Sequence, residues 1–244
     1  DEAGGGHAHC GLAIYDGDNF PANYQGLLLF GNLHGHRVLA DQVEPKGSGY
    51  VGHHAGDFAR SNDAWFIPVS QRVGPDGALY LCDWFNSLIG HYQTSFRHPD
   101  RDKTRGRIWR VTANGRPRLK TPSLEKAALP ALFDQLLSPE RWNRQLAARV
   151  LKDRPTDPVV AGVREWVAAA PSDTVRLERL NEAVGVLASH EVPDAEFVEL
   201  LSRSRNPDHR ARAARVTGHW ASRLKNPLEI LGRLAADRIE EAFE

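Results

Sequence analysis

The chain changes character once, near residue 120, and that single change limits what it can fold into. Before it, short apolar runs are separated by clusters of Gly, Pro, Asn and Asp; after it, as far as Glu244, Ala, Leu, Arg and Glu dominate, with apolar residues three and four apart. The first pattern belongs to strands joined by tight turns. The second belongs to amphipathic helices. The expected fold class is therefore mixed, all-β and then all-α, with domains at residues 1–118 and 119–244.

The stretch 73–111 anchors the first half. Gly74-Pro75-Asp76-Gly77 has the composition of a tight turn, with Pro fixing φ and Gly able to take positive φ. It delivers the chain into an apolar run ending at Asp83, followed by a loop rich in ionisable groups and a return strand carrying Ile108, Trp109 and Val111. Further strands are expected near 12–15, 26–32, 36–43 and 65–73. Residues 46–63, rich in Gly, His and Asp and without periodicity, read as a long loop. Strand, polar loop and returning strand form part of a β-propeller blade, and blades carry about four strands each in rings of roughly four to eight. About six or seven strands would supply only the last one to two blades. The absence of Met and the start at Asp1 agree with further blades expected upstream.

The second half repeats. Arg144-Gln145-Leu146-Ala147-Ala148-Arg149-Val150 is echoed 66 residues on by Arg210-Ala211-Arg212-Ala213-Ala214-Arg215-Val216, and the helix expected from Asp173 lies midway. A helix is expected to start at Pro122-Ser123-Leu124-Glu125. Two periods of about 33 residues, each a helix pair, describe a short HEAT-like α-solenoid. Its Arg-rich faces read as solvated surface, with a docking groove as the lesser reading.

Thirty-one basic residues balance thirty-one acidic ones, so nothing at the level of the whole chain points to nucleic acid or an anionic membrane. No apolar run approaches the roughly 20 residues of a membrane span. Cys10 and Cys82 are too few for a disulfide framework; they read as two buried free thiols, or as one bond between neighbouring strands. There is no C-x-x-C-H motif for a covalently held haem.

Eleven histidines occur, eight of them in the first 100 residues with carboxylates near. Imidazole beside carboxylate can ligate a metal or take a proton from an alcohol. No spacing is diagnostic of a metal site, and none is assigned. His9, His34, Asp83 and His91 form the best constellation, since each falls at an expected strand end or in the loop beside it. Asp83 could equally cap a turn, and His91 hold its loop. Arg105, Arg107 and Arg110, with Asp100 and Asp102, read as a salt-bridged edge where the β half stops.

Several motifs together resemble one family: His9-Cys10-Gly11, Tyr15-Asp16-Gly17 with Asn19-Phe20-Pro21, Asn62-Asp63 with Trp65-Phe66 and Pro68-Val69, Gly74-Pro75-Asp76-Gly77, Ile89-Gly90-His91-Tyr92, and Arg105-Gly106-Arg107-Ile108-Trp109-Arg110. They look like the PVC-type, membrane-bound-dehydrogenase-like proteins. Those join a propeller similar to the quinoprotein glucose/sorbosone dehydrogenases to HEAT-like repeats, and many end in a cytochrome c domain. The resemblance implies an extracytoplasmic (periplasmic or extracellular) protein that oxidises sugars or other alcohols. Electrons would pass to pyrroloquinoline quinone, with calcium, and then to haem c in a part of the parent protein outside this chain. On that reading His9 and His91 are the catalytic candidates, and His34, Asp83 and Arg107 the cofactor-binding ones. Ile67 stands where the family usually has Arg. The alternative is a non-catalytic module, with the propeller gripping a carbohydrate or protein and the solenoid offering a docking surface.

Overall fold

In the computed structural model, which describes residues 8–46, 49–90 and 94–236, the shift near residue 120 is the shift from sheet to helix. Two compact units result, Asp1–Pro45 with Gly49–Thr121 and Pro122–Glu244 with Lys46–Ser48.

The first unit holds two small sheets. Strands β1 (His9–Ile14), β2 (Leu28–Asn32), β3 (Arg37–Lys46) and β4 (Gly49–Arg60) lie side by side in chain order, and β5 (Pro68–Val73), β6 (Leu79–Asp83) and β7 (Arg107–Val111) form an antiparallel meander. The sheets meet where β1 and β2 lie against β5. Gly11 sits in a bulge of β1 at φ +62°, and a Cβ there would strike the Gln71 side chain; one at Gly31 would strike the Pro68 carbonyl. Glycine at both positions lets the sheets come this close.

Leu29, Val38, Leu79 and Leu81 fill the core between them, together with Tyr15, Phe20 and Phe66. Tyr15 is fully buried. Its hydroxyl donates to Gly77 O at 2.9 Å and accepts from the backbone N–H of Asn19 and of Phe20. Asn19 in turn accepts from Ala113 N and donates to Pro117 O. The turn at 74–77 is thereby tied to the start of the sheet, which satisfies polar groups that burial would otherwise penalise.

Two expectations change here. Residues 46–63 are not a loop: β4 fills most of that stretch, extending with β3 as a ribbon exposed on both sides over its outer part. A strand with no buried face has no reason to alternate, so periodicity could not reveal it. Cross-strand pairs hold it instead, with His53 3.2 Å from Glu44, His54 3.2 Å from Asp41 and Arg37 3.1 Å from Asp57. Both cysteines are free thiols, but only Cys10 is partly buried, its Sγ 3.4 Å from Pro68 O and its pKa raised by burial; Cys82 is exposed.

The second unit consists of helices α1 (Leu129–Gln135), α2 (Arg141–Lys152), α3 (Thr156–Ala168), α4 (Asp173–Ser189), α5 (Ala195–Ser202), α6 (Pro207–His219) and α7 (Pro227–Ala235). The first helix begins at Leu129 rather than at 122–125, because Pro130 sits in its first turn, where a missing N–H costs nothing. Neighbouring helices pack on one another from α3 onward and α1 packs on α2, with further contacts of α1 on α3, α2 on α4, α4 on α6 and α5 on α7. The echoed motifs fall on α2 and α6. The first arginine of each ties down the turn that precedes its helix. Arg144 Nη1 donates to the carbonyls of Ser138 and Pro139, and Arg210 Nη1 donates to those of Ser204 and Arg205. Among the described residues no helix is long and apolar enough to cross a membrane.

Candidate functional site

β1 and β5 run in the same direction: Cys10 lies against Pro68 at their starts, and Gly17 against Val73 and Gly77 beyond their ends. His9 pairs with Asn32, Pro68 with Asp83, and Asp83 with Arg107. The sheet pairing therefore gathers His9, the β2–β3 turn with His34, Asp83 and Arg107 at one end of the two sheets. His9 and His34 are both exposed, and His9 meets Phe30 edge-on at 5.4 Å. His36, at φ +50°, joins the same end through Nδ1, which donates to Phe66 O at 3.0 Å. His91 lies outside the described residues. On either side of it, Gly90 O and Thr94 O accept from Nη2 of the buried Arg101.

Asp83 is the hub of this end. Its carboxylate is fully buried and accepts from Ile67 N (2.8 Å), Phe85 N (2.9 Å), Arg107 Nε (2.7 Å) and Trp109 Nε1 (2.9 Å). Four donors occupy the lone-pair directions a carboxylate offers. Arg107 is shared: Nε goes to Asp83, Nη1 to Asp63 at 2.7 Å, and its buried Nη2 has no partner. The Asp63 carboxyl is held below the usual carboxylate range by the Trp65 N–H and then by Arg107. The arginine edge thus pairs differently from expectation. Arg105 does meet Asp102, but Arg107 reaches Asp63 and Asp83, Arg110 reaches Asp76, and Asp100 lies near His98.

Guanidinium groups and rings cluster at this end, where the Trp65 and Phe85 rings also meet directly at 5.0 Å. Arg107 lies 5.1 Å from the Trp109 centroid and 4.0 Å from that of Phe85; Arg105 lies 5.4 Å from Phe85 and 5.9 Å from Trp65. Each such contact is worth about 0.5–1 kcal/mol where exposed. Phe85 holds φ +51°, a conformation unfavourable for a bulky side chain and common where structure serves binding. Sequence reading gave Trp65, Phe85 and Trp109 no part in a site. The signal was Arg107 opening a strand with Trp109 two further on, a spacing that puts both on one side.

A quinone does not fit these residues. Asp83 has no lone pair to spare, Arg107 has committed two of its nitrogens, and Ile67, where an arginine would be wanted, is an alkyl side chain with no exposed surface. Among the described residues no three His, Cys, Asp or Glu side chains are grouped so as to hold a metal ion.

Residues 1–115 match a family described as a domain of unknown function, DUF7133, a match compatible with the dehydrogenase-like resemblance. No curated protein and no solved structure matches the chain.

Proposed function

We propose that the first unit is part of a propeller whose strand-end surface binds carbohydrate, and that the chain belongs to an extracytoplasmic parent. What supports the propeller is a four-strand meander followed by a three-strand one in the same order, with first strands adjacent. The observation that carries the binding reading is the ion-paired end itself. Arg105 pairs with Asp102, and Arg107 with Asp63 and Asp83, beside half-exposed aromatic rings, leaving hydrogen-bonding edges and apolar faces, the two features a neutral sugar ring offers in return. The second unit fits a HEAT-like solenoid, because Arg144 and Arg210 cap equivalent turns. A groove of about 560 Å³ there, lined by Arg164, Val167, Arg176, Asp194 and Phe197, is its candidate docking surface.

Oxidation of sugars or other alcohols is the second reading, favoured by His9 and His34 standing exposed at the same end, where an imidazole can take a hydroxyl proton. It requires its quinone, and the onward path to a cytochrome c domain, to be supplied by groups other than Asp83 and Arg107. The full chain on a glycan array, alone and as His9→Ala and His34→Ala, separates the two readings. Binding that survives both substitutions supports a binding module. Binding lost with either histidine, together with dye reduction on a sugar panel with added quinone and calcium, transfers the assignment to the oxidoreductase, and no glycan binding at all refutes both.

A further inference from the structure

We propose that copies of this chain join through the outer faces of the two sheets, the β5–β7 sheet of one copy on the β1–β4 sheet of the next, and so complete a ring. The inference rests on the propeller reading and is independent of the carbohydrate one.

The two sheets are built to one register. The five pairs from Leu28 with Asp41 to Asn32 with Arg37, between β2 and β3, match the five from Leu79 with Val111 to Asp83 with Arg107, between β6 and β7. Paired residues share a face of their sheet, so the match carries over to faces. Gly31 and Val38 lie on the front of the first sheet, and Cys82 and Ile108 hold the same places on the front of the second. Val38 is wholly buried where the second sheet covers it, whereas Ile108 is 74% exposed and Cys82 is exposed too. One position is covered and its counterpart is bare.

The backs of the sheets repeat the contrast. Leu79 and Leu81 are sealed against the first sheet, while their counterparts Leu28 and Phe30 are half-buried beside Leu12 and Ile14, which are 57% and 47% exposed. The chain thus holds one closed joint between sheets and the two separate halves of a second.

Those halves lie on opposite sides of the pair of sheets, so they cannot meet within one copy. A second copy supplies the missing half to each. Charge agrees with this pairing: the exposed Arg72, which meets no acid among the described residues, stands on the front opposite Tyr80, and Asp41 stands on the back opposite Leu28. Cys82 stands where Gly31 admits the Pro68 carbonyl, so the incoming first strand lies one side chain further out. Front on back is a heterologous contact, which closes as a ring or runs on as a filament. Rings of about four to eight sheets take roughly two to four copies.

The test is sedimentation velocity and native mass spectrometry of the full chain, alone and as Ile108→Lys and Ile14→Lys, one substitution on each face. The expected result is a discrete assembly of roughly two to four copies, single chains for each variant, and a one-to-one pair when the two variants are mixed, because each retains the face the other has lost. Should either variant lose its fold by circular dichroism, Cys82→Lys and Leu12→Lys mark the same two faces. An unsubstituted chain that stays single overturns the proposal and leaves the propeller reading standing, its bare faces then covered by another polypeptide. Assembly that survives both substitutions, or variants that do not pair on mixing, overturns it as well. Growth without limit upholds the joint but refutes the ring, and the propeller reading with it.

Discussion

Replacing Asp83 by Ala separates a structural hub from a ligand-binding carboxylate. The side chain is fully buried and receives four hydrogen bonds, two from backbone N–H groups, one from the Trp109 indole and one from the Arg107 guanidinium. Its loss leaves the donors of Ile67, Phe85 and Trp109 without an acceptor and strips Arg107 of one of its two carboxylates. Breaking a buried pair in this way costs about 3–5 kcal/mol, a large share of the roughly 5–15 kcal/mol that typically holds a domain together. At roughly 4 °C per kcal/mol for a unit of this size, the melting temperature should fall by about 12–20 °C. Asp83→Asn should not rescue it, since the amide NH2 would face donors on Arg107 and Trp109. The measurement is urea unfolding followed by tryptophan fluorescence, with circular dichroism of the helical unit as an internal control. A loss of less than about 1 kcal/mol would refute the hub, because four bonds to a buried carboxylate cannot vanish so cheaply.

Two further outcomes follow from buried and acidic groups in the same unit. Gln71 is fully buried with neither amide atom partnered, so Gln71→Met, which keeps its length, should raise stability by about 1 kcal/mol in thermal melts; a loss of that size would show that the carboxamide has a partner it needs. The Thr104 backbone N–H, helped by Arg105 and the Thr104 hydroxyl, lowers the Asp102 pKa to about 2, and Asp63 is lowered in the same direction. A depressed carboxylate contributes fully above its unfolded value of about 4 and progressively less as pH falls toward about 2. Urea midpoints should therefore drop across that window, and Asp102→Asn should flatten the drop; an unchanged acid limb in the variant would count against the assignment.

Several of the motifs that carry the family resemblance prove to be polar staples of the fold. Tyr15 secures the 74–77 turn, Asn19 holds Ala113 and Pro117, and the arginines of 105–110 pair with Asp102, Asp63, Asp83 and Asp76. A motif of this kind can persist for the sheet it holds together, and Asp83 shows how a residue suited to ligand chemistry can be occupied wholly by structure.

The sequence by itself determined the passage from sheet to helix, the positions of six of the seven strands seen among the described residues, and the 66-residue echo, because all of these are local. Alternation, turn residues and three-and-four spacing are written within a few residues of one another. Only the tertiary structure decided what the charged groups do. Arg107 meets Asp63 from 44 positions away and Asp83 from 24, and Gln71 is sealed beneath glycines of two other strands. Periodicity reports which side of a strand is covered, whereas the partner across the fold is chosen by strand order and register, which no local pattern encodes. The same limit hid β4, a strand that buries too little to alternate.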